Sequence, residues 1–136
     1  MIINYDNREK VESIHLHDSN INSFKYDYSS KKIDIILHNE FINKNYDLLF
    51  ENVIYCEIIG IELWGHSDNR IIDWELITDE KKMKELLYIE GIEKSQYPYS
   101  LFKRNPENKY ISTLFTFSSG DTVSIICEKI SIANIE

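Results

Sequence analysis

Glycine, proline and cysteine are scarce in this chain of 136 residues, with four, two and two of each. Few turns can lean on a glycine's positive φ or a proline's fixed φ. Most must therefore use Asn, Asp and Ser, whose short side chains bond to nearby backbone. The two cysteines, Cys56 and Cys127, lie far apart in apolar runs. They exclude a dense disulfide scaffold and read as buried, reduced thiols. No apolar run approaches the roughly 18 residues of a membrane span. The start MIINYDNREKVE is charged within ten residues and has no apolar leader core, so the expected location is cytoplasmic, with no membrane contact. No G-x-S-x-G elbow or other catalytic motif is present, and no internal repeat or low-complexity segment is visible.

Bases are also few: 15 Lys and Arg stand against 23 Asp and Glu, a net charge of −8. The deficit is local. Residues 40 to 80 hold ten acids and two bases, which leaves thirteen of each elsewhere and places the whole imbalance in the middle of the chain. Such a distribution argues against nucleic acid, whose partners carry a basic footprint. It suits either solvation of several strands or an acidic face for a basic protein partner. Hydrophobic residues make up 43% of the chain, a globular proportion. At this length one domain, 1–136, buries roughly two-thirds of its unfolded surface without staples.

Alternation dominates. VESIHLHD, 11–18, reads as a short strand. NINSFKYDY and KKIDIILHN form a hairpin over 20–39 with a loop at Ser29 to Lys32, and Ile21 is out of phase with Phe24, Tyr26 and Tyr28, which predicts a bulge near Asn22. The long β-branched and aromatic stretch 46–64 is expected to break near Glu51–Asn52, with Gly60 a second irregular point. RIIDWELI, 70–77, is a strand expected to pair back with the one before it. TDEKKMKELLYIEG is the one helix, near 79–90, with Met83, Leu86 and Leu87 on one stripe. Residues 92–109 are a long connection. YISTLFTF-SSGD-TVSIICEKISI closes the chain as a hairpin turned at Gly120, with a parity switch near Glu128 that predicts a bulge or a turned corner. The predicted fold is mainly β: an antiparallel bent sheet or small sandwich of six to eight strands with one helix, the alternative being α+β with the helix on a single sheet.

The segment HLHDSN, 15–20, invites two chemical readings. His17, Asp18 and Ser19 are neighbours in sequence, but strand neighbours point to opposite faces, so they cannot converge as a triad. His15 and His17 share a strand face and could ligate one metal ion if a third ligand came from elsewhere. The plainer reading ends a strand at Asp18, whose carboxylate closes an Asx-turn. A strand ending in His17-Asp18-Ser19, then Ile21, then a hairpin strand carrying Asp27, resembles the opening of small bacterial β-rich domains of unknown function. Some of these are similar to immunity proteins encoded beside polymorphic toxins. FTFSSGDTVSIICEKISI resembles the glycine-turned hairpin that closes such domains. The likeness covers about forty residues in two pieces, and it implies a β-rich fold and no catalytic residues.

Taken with the charge, this leads to the expectation of a non-enzymatic immunity-like protein that needs no cofactor and covers a basic partner. Its contact set is Glu57, Glu62, Trp64, Asp68, Asp73, Trp74 and Glu75, the tryptophans serving either as interface anchors or as core. A metal-binding protein or metalloenzyme using His15 and His17 is the first alternative. A homo-oligomer that pairs through an exposed edge strand, for instance in the C-terminal hairpin, is the second.

Overall fold

The computed structural model describes residues 1–60, 70–77, 85 and 109–135. Among the described residues nine strands form two antiparallel sheets, one strand more than the upper expectation because two-residue β1 (Ile2–Ile3) pairs as well. The remaining strands are β2 (Ser19–Asp27), β3 (Lys32–Asn39), β4 (Lys44–Glu51), β5 (Tyr55–Ile59), β6 (Ile71–Leu76), β7 (Ile111–Phe117), β8 (Thr122–Cys127) and β9 (Lys129–Ile135). One sheet runs β1-β9-β4-β3-β2 and the other β5-β8-β7-β6. The fold is mainly β, with a 3-10 helix at Arg8–Ser13. The helix expected near 79–90 lies outside the described residues except Glu85, which is helical.

Period-two patterning places Ile33, Ile35 and Leu37 of β3, Leu48 and Phe50 of β4, Ile111, Phe115 and Phe117 of β7, and Val123 and Ile125 of β8 on facing inner surfaces, all buried in one cluster. At its centre Trp74 stacks on Phe115 at 5.3 Å and 10°, and Phe50 meets both rings edge-on at 6.3 and 6.2 Å. Such pairs add about 0.5–1.5 kcal/mol each beyond burial.

Turns follow the polar chemistry that the shortage of glycine requires. Asp27 Oδ1 accepts the Ser29 N–H at 3.0 Å and the Ser30 N–H at 3.3 Å, closing a loop whose register, Asp27 opposite Lys32, starts one residue before the expected position. Asn39 Oδ1 accepts from Phe41 and Ile42 in the next turn. The β2 register shifts between Ile21 and Ser23, at the expected bulge. The long stretch breaks where expected: β4 ends at Glu51, and Asn52 takes φ 52° before the chain enters the second sheet as β5. The chain returns to the first sheet at Glu128, between β8 and β9, which explains the parity switch there. The two crossings are tied by the Glu128 N–H to the Glu51 carbonyl and by the Asn52 amide to the Glu128 carboxylate.

Two sequence expectations are corrected. Residues 11–18 are not a strand: a 3-10 helix ends at Ser13 and irregular chain follows. Val11 and Ile14 are three apart, the 3-10 period, and it is Val11 and Leu16, both buried, that anchor the segment. β6 does not pair with β5. The two lie at opposite edges of their sheet, with β8 and β7 between them, because the C-terminal hairpin inserts there. In the C-terminal hairpin β7 and β8 each have strand neighbours on both sides, while β9 is flanked by β4 along its length and by β1 only at Ile130 and Ser131.

Candidate functional site

Cross-strand register sorts the acidic residues by face. Glu57 pairs with Ser124, Ser124 with Leu114, and Leu114 with Glu75, one row across the outer surface of the four-stranded sheet. Three strand spacings put the two ends of that row about 14 Å apart. Asp73 lies in the neighbouring row, opposite Thr116. The outward strand positions of this sheet are Tyr55, Glu57, Ile59, Asp73, Glu75, Ser112, Leu114, Thr116, Thr122, Ser124 and Ile126, with no lysine or arginine among them. The Tyr55 hydroxyl donates to the Glu57 carboxylate and orients it.

The other sheet treats its acids differently. Glu51 meets Lys129 at 2.8 Å and Lys32 at 3.7 Å, and the Lys129 hydrogen bond holds its carboxyl below the usual range. Asp47 and Asp34 project from diagonal positions on β4 and β3 and are placed to share a hydrogen bond. Two carboxylates cannot share one without a proton, so Asp47 is raised to about 6, chiefly by that bond and then by desolvation and the Asp34 charge. Pattern alone could not reveal this pair, because it depends on register.

A cleft of about 250 Å³ opens beside β6. One wall is Glu12 and the 14–17 segment, with both histidines; the other is Ile72 to Glu75. Asp18 fixes the relation between the walls. Its N–H donates to the Ile71 carbonyl at 2.9 Å, and its carboxylate meets His17 Nδ1 at 3.0 Å and the Arg70 guanidinium at 4.0 Å. Asp18 adopts φ 69°, a left-handed conformation that Asp tolerates, and its carboxylate is engaged there in place of the expected Asx-turn. On the far side, the Asn39 amide donates to the His17 carbonyl at 3.1 Å.

The sequence candidates thus separate. Asp73 and Glu75 join His15 and His17 at the cleft, a convergence of two candidate sets read separately from the sequence. Glu57 shares the sheet face but not the cleft. Trp74 is 4% exposed and belongs to the core, one of the two roles weighed for it, while still contributing to the cleft lining. Glu62, Trp64 and Asp68 lie outside the described residues. Glu12, from the 3-10 helix, was missed; a lone exposed acid carries no signal until the fold brings it to β6. Among the described residues no three His, Cys, Asp or Glu side chains converge to hold a metal ion, and no helix is long and apolar enough to cross a membrane. No protein-family model matches the chain, and no curated protein matches it either.

Proposed function

We propose that this chain is a non-enzymatic cytoplasmic binding protein of the toxin-immunity kind, which covers a basic protein partner with the outer face of its four-stranded sheet. The observation that carries this is the placement of Glu57, Asp73 and Glu75 on one face, with no lysine or arginine among its described strand positions. On the other sheet Glu51, from the same acidic stretch, is neutralised by lysines. Carboxylates of one sign gathered on a face steer an oppositely charged partner and suppress wrong ones. Glu62, Trp64 and Asp68 belong to the proposed contact on sequence grounds. Trp74 supports the face from within and is not an exposed anchor.

Affinity capture from the source cell's lysate, at low and at high salt, tests the reading when run beside the triple variant Glu57→Lys, Asp73→Lys, Glu75→Lys. The expected result is one basic protein, held at low salt, weakened at high salt and lost with the variant. Equal retention by the charge-reversed protein removes the acidic face from the account.

A further inference from the structure

We propose that the cleft between Glu12–His17 and β6 receives one arginine side chain of the basic partner; this deepens the reading above and rests on it. The size of the cleft points to a single side chain. Its volume of about 250 Å³ falls below the roughly 300–1,000 Å³ of pockets that enclose a whole small molecule. Its charge points to a cation, and the layout of that charge points to arginine. Carboxylates approach from two walls, Glu12 on one and Asp73 and Glu75 on the other. A guanidinium offers five N–H donors in a planar fork and can serve both walls together, where a lysine ammonium acts as a compact point charge. Ile14, Leu16 and Ile72 provide the apolar surface along which the methylene stem would lie.

Two further observations fit the same occupant. His17 Nδ1 lies 3.0 Å from Asp18 Oδ2, so an imidazole that carries its one proton on Nδ1 donates it to that carboxylate and keeps Nε2 as an acceptor. A guanidinium donor can use such a nitrogen. Independently, Trp74 is 4% exposed, contributes to the cleft lining, and has a buried indole N–H with no acceptor among the described residues. A buried donor without a partner is uncommon in a folded protein. The backbone carbonyl that accompanies a bound arginine residue supplies the missing acceptor. A free metal or an isolated amine would leave that donor unsatisfied.

The test is an NMR titration of the full chain with acetyl-Gly-Arg-Gly-amide, and with the same peptide carrying citrulline, the uncharged isostere, in place of arginine. The Trp74 indole N–H resonance is identified by elimination with Trp64→Phe. Expected are saturable shifts of that resonance and of the Ile72–Glu75 amides, with the citrulline peptide about tenfold weaker or worse. Glu12→Gln, on the opposite wall from β6, should weaken the arginine peptide about tenfold with its other resonances unmoved. Equal binding of the two peptides, an unaffected Glu12→Gln protein, or a silent cleft at millimolar peptide overturns the proposal. If the cleft is silent while the charge-reversed face still abolishes lysate capture, the arginine site falls and the acidic-face reading stands. If the cleft binds arginine but no salt-sensitive basic partner is captured, the site stands and the partner reading falls.

Discussion

Replacing Gly60 and, separately, Gly120 by alanine distinguishes backbone strain from a side-chain clash. Both glycines have positive φ, +115° and +92°. At Gly120 an added Cβ meets nothing within 4 Å, so Gly120→Ala bears only the strain of the conformation, about 1–3 kcal/mol. At Gly60 the Cβ would stand 1.9 Å from Asp121 Oδ1 and 2.3 Å from its Cγ, so the carboxylate has to move. Asp121 is only 5% exposed, and displacing a buried carboxylate from its place costs about 1.5–3 kcal/mol more. Gly60→Ala should therefore lose about 3–5 kcal/mol in all. That is a large share of the 5–15 kcal/mol typical of a domain. Urea unfolding followed by tryptophan fluorescence gives both values, with the m-value unchanged if the native state stays compact. The double variant Gly60→Ala, Asp121→Ala removes the two closest atoms and should cost at least about 1 kcal/mol less than the sum of the single changes. A Gly60→Ala penalty no larger than that of Gly120→Ala, or strict additivity in the double variant, would show that Asp121 does not pin the β7–β8 turn onto the end of β5.

Other consequences concern the rest of the molecule. The Asp34–Asp47 pair links stability to pH: Asp47 titrates near 6 when folded, against a model-compound value of 3.8, so the folded state holds more protons in between. Its contribution is complete below about pH 4 and lost as pH rises through about 6; solvent screening reduces the nominal two-unit effect to about 1 kcal/mol. Asp47→Asn should match the parent at pH 4 and exceed it by about that amount at pH 7.5 in paired urea melts; a pH-independent difference contradicts the shared proton. Asn39→Ala removes the donor to the His17 carbonyl and the acceptor for the Phe41 and Ile42 amides. It should cost about 2–3 kcal/mol in a thermal or urea melt and broaden the His17 amide resonance, whereas a loss under about 0.5 kcal/mol would show that the turn holds without it. Burial pushes the Cys56 thiol up to about 11 and raises that of fully buried Cys127 as well. Neither should react with a thiol reagent at pH 8 until denaturant is added, and one fast native thiol would refute this assignment.

Much of the architecture is legible in the sequence because a half-buried strand advertises itself locally. Alternation at Ile33, Ile35 and Leu37, the bulge near Asn22, the break at Glu51–Asn52 and the crossing at Glu128 are all written in side-chain parity, which depends only on nearest neighbours along the chain. The 11–18 segment misled because Val11, Ile14 and Leu16 satisfy a strand pattern and a 3-10 pattern almost equally over so short a span. The pairing of β6 could not be read at all. Which strand lies beside Ile71–Leu76 is decided by the insertion of residues 111–127 between β5 and β6, a contact between parts of the chain some forty residues apart.

The candidate site shows the same division. Composition alone placed the negative charge between residues 40 and 80 and singled out His15 and His17, since charge and residue type are properties of the chain. Only the tertiary structure decided that Glu57, Asp73 and Glu75 share a face, that Glu51 is neutralised by lysines from two other strands, and that Glu12 faces β6 across a cleft. Coulombic attraction and hydrogen bonding act over a few ångströms of space, and folding alone determines which residues come that close.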